Sequence, residues 1–78
     1  MTENQLLGEI CAALEIDLSV LTLDSVSTDI EQWDSLGHIT ILARLDSLFE
    51  NVTERYPELA EATSIAEILE VLKRDGQI

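Results

Sequence analysis

Trp33-Asp34-Ser35-Leu36-Gly37-His38-Ile39-Thr40-Ile41-Leu42-Ala43-Arg44-Leu45-Asp46-Ser47-Leu48-Phe49 is the stretch that organises this chain. Leu36, Ile39, Leu42, Ala43, Leu45, Leu48 and Phe49 give a broad apolar face at helical spacing, and Ile41 widens it. The spacing predicts a helix that starts at Asp34 or Ser35, runs to about Glu50, and lies at the centre of the core. Asp34 suits the N-cap, because its carboxylate can accept from the amide of Leu36 or Gly37 and complements the helix dipole. Ser35 then takes the first helical position, with its hydroxyl free of capping and facing solvent. A phosphate diester attached there would lie at the positive end of the helix. Capping alone would also select Asp-Ser before a helix, and Ser35 could itself be the cap.

On the N-terminal side, Thr2-Glu3-Asn4-Gln5 has capping-box spacing. Leu6, Leu7, Ile10, Ala13 and Leu14 follow at helical spacing, which predicts a first helix over roughly residues 3 to 15. Residues 16 to 33 lack that period. Leu18, Val20, Leu21 and Leu23 alternate imperfectly with Ser and Thr, but no second strand-like segment exists to pair with them. The segment reads as a long loop whose leucines anchor it onto the helices, with one helical turn near Thr28 to Gln32. On the C-terminal side, Tyr56-Pro57 interrupts Asn51 to Glu61 and allows only a short, imperfect helix. Ser64-Ile65-Ala66-Glu67 opens a last helix with Ile65, Ile68, Leu69 and Leu72 on its apolar face. Lys73 and Arg74 suit its negative end, and Gly76 its stop. The expected fold is all-α: one domain over residues 1–78, a small antiparallel bundle of three main helices plus one short helix, with a long first loop.

Sixteen acids against four bases give a net charge of −12. Arg44, Arg55, Lys73 and Arg74 are the bases, so the first forty-three residues carry no Lys or Arg. Such a field repels nucleic-acid backbones and anionic membranes. It favours basic partners and speeds their encounter at low salt. It also serves simply to keep a small protein dissolved. Cys11 is the only cysteine, which precludes an internal disulfide, and it falls in an apolar helical stretch as a small hydrophobe. No leader segment and no bilayer-spanning apolar run is present, so a cytoplasmic monomer without membrane insertion is expected. A chain of 78 residues builds a small core, better suited to display at the surface than to a deep catalytic cavity.

Trp33-Asp34-Ser35-Leu36-Gly37-His38 before a long apolar helix resembles the attachment segment of the acyl carrier protein family. The resemblance extends to the chain length, the acidity, the first helix, the long loop, Phe49 closing the second helix, and a last helix near Ser64. It implies a carrier rather than an enzyme. A phosphopantetheinyl transferase would place a 4'-phosphopantetheine arm on Ser35. An acyl- or aminoacyl-loading ligase would charge the arm, and downstream acyl-processing enzymes would dock along the second helix. The docking contacts would be Asp34, Leu36, Ile39, Ala43 and Asp46. Gly37 and Thr40 stand where fatty-acid carriers usually have acids, and Arg44 adds a positive charge, so the resemblance points to a dedicated carrier in a specialised pathway.

Other constellations are weaker. His38 follows Ser35 by three residues, but neighbours on one helical turn cannot put a base in line with the hydroxyl. Trp33 is expected to staple the start of the second helix rather than stack on a ligand. The acids do not follow the calcium-loop pattern, and no metal site is expected. Two different classes stay open: an acidic helical interaction module, and an inhibitor that mimics nucleic acid. Neither uses the placement of Ser35.

Overall fold

The computed structural model describes all residues from Met1 to Ile78. It is the expected all-α bundle, with α1 over Glu3–Leu14, α2 over Ser35–Leu48, a short α3 over Val52–Arg55, and α4 over Ile65–Arg74. Three 3₁₀ turns supplement them, at Leu18–Val20, Ser27–Asp29 and Pro57–Glu61. No helix is long and apolar enough to cross a membrane.

Local signals set most of the boundaries. Thr2 and Gln5 form the full capping box of α1: Gln5 N donates to Thr2 Oγ1 at 3.1 Å, and Thr2 N donates to Gln5 Oε1 at 2.9 Å. α1 closes at Glu15, which lies in the left-handed region (φ 56°), while Ile16 N bonds to Cys11 O. α2 ends at Leu48 rather than near Glu50. Glu50 and Asn51 both take positive φ and turn the chain sharply into α3. The short third helix breaks where Pro57 lacks an amide to donate, so the rest of that segment is 3₁₀. At α4, Ser64 Oγ accepts from Glu67 N at 3.2 Å, and Glu67 Oε2 accepts from the Thr63 amide at 2.6 Å. The helix closes on Gly76 (φ 77°), with Gly76 N bonded to Lys73 O and Gln77 N to Leu72 O.

The core is one cluster to which every helix contributes. Leu6, Ile10, Ile41, Leu45, Leu59, Ile65, Ile68 and Leu72 are its largest fully buried side chains. α1 against α2 is the most extensive helix pair.

The long first loop departs from its expected packing. Of Leu18, Val20, Leu21 and Leu23, only Leu21 is buried; the other three are exposed. Ile30 and Trp33 complete the anchoring further along. The loop is also held by its backbone. Ser27 N donates to Thr63 O at 2.7 Å, Ile65 N donates to Ser25 O at 3.0 Å, and Val26 and Ser64 form an isolated antiparallel bridge. The pairing partner missing from the sequence pattern is the extended lead-in to α4. The helical turn falls at Ser27–Asp29, one residue earlier than its expected start, and has no side-chain cap.

Candidate functional site

The start of α2 carries the candidate site. Asp34 is extended (φ −95°, ψ −167°), and its Oδ1 accepts from Gly37 N at 2.8 Å. Capping is therefore done by Asp34, and Ser35 is the exposed first residue of the helix. Its hydroxyl is not the group that holds the helix amides.

Trp33 and His38 fix how the chain enters the helix. They occupy the positions before the cap and one turn beyond it, and their rings stack with centroids 6.2 Å apart and planes 16° apart. Trp33 Nε1–H donates to His38 Nδ1 at 3.0 Å. An indole nitrogen only donates, so Nδ1 accepts and the ring proton sits on Nε2. Nε2–H then donates to Leu59 O at 2.9 Å. Both imidazole nitrogens are committed away from Ser35, and His38 has no lone pair left to act as its base.

Gly37 lies where the loop crosses the helix. A Cβ there would meet Gln32 O at 2.1 Å and Leu14 Cδ2 at 2.9 Å. The position where an acid would stand in the resembled family has no room for any side chain.

Beside Ser35 runs an open groove of about 600 Å³. Ile39 and Leu42 of α2 form one wall, Ala60 and Ala62 the other, with Trp33 and His38 between them. Ser27 and Thr63, joined by their backbones, line its edge. The groove-wall residues 60–63 carry no sequence signal. They lie some twenty-five positions beyond Ser35 and reach it only because Pro57–Glu61 folds back toward α2.

The expected docking residues separate into two groups. Asp34 at the cap and Leu36, Ile39 and Ala43 on α2 are exposed. Leu36 and Ile39 are 73% and 61% exposed, the most of any large hydrophobic residue. Asp46 is turned inward instead. Its Oδ1 accepts from Thr53 N at 2.9 Å and its Oδ2 from Thr53 Oγ1 at 2.7 Å, so it caps α3 from a neighbouring helix. Cys11 is buried, and burial followed by the nearby charge of Asp17 pushes its thiol above the ordinary value, away from reactivity. No family model, curated protein or solved structure matches the chain.

Proposed function

We propose that this chain is a carrier protein. It holds acyl or aminoacyl cargo on a 4'-phosphopantetheine arm attached to Ser35 and delivers that cargo to partner enzymes of a specialised biosynthetic pathway in the cytoplasm. The observation that carries the reading is the division of labour at the start of α2: Asp34 caps the helix and leaves Ser35 exposed. The resemblance of the segment Trp33 to His38 to the acyl carrier protein family supports it.

The local residues suit such a group. The hydroxyl is reachable from solvent, and the helix N-terminus favours the negative charge of a phosphodiester. The groove supplies an apolar recess within reach of the same helix. When attached, the arm supplies a terminal thiol that carries cargo as a thioester. The chain's own part is positioning. Asp34 holds the first turn, the Trp33–His38 pair fixes its entry, and the rest of α2 presents a face to the enzymes that use the cargo. Tethering raises the effective concentration of cargo at each partner.

The test is an incubation with coenzyme A, magnesium and a promiscuous phosphopantetheinyl transferase, read by intact mass. The wild type gains the mass of one phosphopantetheine, and folded Ser35→Ala gains none. Absence of any gain in the wild type, with the transferase active on a control carrier, discards the reading.

A further inference from the structure

We infer that Trp33 and His38 form a proton-sensitive latch at the entry to α2, closed while the imidazole is neutral and parted when the ring takes a second proton. The inference stands apart from the carrier reading, since it needs neither an arm on Ser35 nor a partner enzyme.

The latch turns on one bond, from Trp33 Nε1–H to His38 Nδ1 at 3.0 Å. An indole nitrogen has a proton to give and no lone pair to offer. An imidazolium carries a proton on each ring nitrogen. Protonating His38 therefore sets two N–H groups face to face, at a distance that suits only a donor and an acceptor. Trp33 is buried in the core cluster, so its indole cannot turn to water in place. The two rings have to part before Nδ1 can hold a proton.

The other ring nitrogen behaves in the opposite way. Nε2–H donates to Leu59 O at 2.9 Å, and a charged donor strengthens such a bond. The movement is thus one-sided: His38 stays with the segment Pro57–Glu61, and Trp33 lets go. Trp33 also holds the end of the first loop, with its amide bonded to Ile30 O at 3.0 Å. Its release loosens the chain immediately before Asp34 and Ser35 and opens that end of the groove.

His38 is the only histidine of the chain. The charged groups that share the groove with it are Asp34, at the cap of its own helix, and Glu61, from the segment opposite. Both are acids, and neither is bonded to the ring. The first loop and the lead-in to α4 bring only the uncharged Ser27, Trp33 and Thr63 to the groove. Glu58, also on the opposite segment, is paired with Arg74.

Amide hydrogen exchange tests the latch, read by NMR from about pH 8 to about pH 5, the range in which histidine ordinarily changes charge. Rates are corrected for the intrinsic exchange at each pH. The amide of residue 33 is the reporter, and that of Leu45, buried in the middle of α2, is the reference. Protection at residue 33 is expected to fall about tenfold or more relative to Leu45, the scale of one lost buried hydrogen bond. Trp33→Phe removes the opposing donor and His38→Gln removes the titrating ring. In both, with the fold checked by circular dichroism, the fall is expected to vanish. Imidazole nitrogen shifts of the wild type should place the proton of the neutral ring on Nε2. Unchanged protection in the wild type, an equal fall in the variants, a fall shared by Leu45, or a neutral ring protonated on Nδ1 overturns the inference. Where a variant does not fold, the wild-type exchange and the nitrogen shifts still decide it.

Discussion

A missing side chain decides how the first loop meets α2. At Gly37 a Cβ would stand 2.1 Å from a backbone oxygen, which cannot swing aside as a side chain can. Gly37→Ala should therefore cost about 1–3 kcal/mol in denaturant unfolding, as overpacking does, and under the proposed carrier function should also slow arm attachment by shifting the segment before Ser35. His38→Ala removes the acceptor of the Trp33 indole and the donor to Leu59 O together. Leaving these groups unpaired is expected to cost about 2 kcal/mol or more, with a shift in the fluorescence of the single tryptophan. The Asp34 cap and the Trp33 staple were both readable in the sequence, because capping and stapling act within one turn. The bond from His38 to Leu59 was not readable, since its partner lies 21 residues away.

Helix ends were legible where a residue type with a capping preference closes them and less so where an ordinary residue does. Thr2, Asp34, Ser64 and Gly76 all act where the pattern placed them. α1 ends differently, on a non-glycine residue in the left-handed region. An L-residue there costs roughly 1–2 kcal/mol, and a carboxylate at the negative end of a helix adds to it. Glu15→Gly should accordingly raise stability by about 0.5–1 kcal/mol, measured as a higher Tm, despite the entropy that glycine adds to the unfolded chain. The sequence pattern suggests a first loop anchored through its leucines. Instead three apolar side chains face solvent, and backbone bonds to residues 63 and 65 do the anchoring. Such pairing needs no particular side chains, and so leaves no pattern in the sequence.

All four bases of the molecule act as clasps between segments. Lys73 Nζ pairs with Glu3 at 2.9 Å, Arg74 with Glu58 at 2.8 Å, Arg55 with Asp75, and Arg44 with Glu9. Each exposed pair is worth about 0–1 kcal/mol, while the net charge of −12 repels itself throughout. Repulsion should dominate, so raising NaCl from low to about 0.5 M is expected to increase Tm by several degrees, about 4–8 °C for each kcal/mol gained. A Tm that falls with salt would instead give the clasps the larger share. Acid acts through particular carboxylates. Hydrogen bonds from Ser19 hold Asp17 below its ordinary value, Arg74 does so for Glu58, and Arg55 then Gln77 do so for Asp75. With folded values lowered, their stabilisation is present above the ordinary carboxylate range and is lost as pH falls below about 4. Asp75→Asn should lessen the decline in Tm over that acid range.

Helix identity, the all-α class and a capped start of α2 were written in the chain, because periodicity and capping are properties of neighbours in sequence; that Asp34 and not Ser35 does the capping was decided by the structure. Two features had to wait for folding: the groove wall at residues 60–63 and the inward turn of Asp46 onto Thr53. Each depends on distant segments meeting in space. A carboxylate looks alike in sequence whether it faces a partner or caps a neighbouring helix, and packing alone assigns it to one or the other.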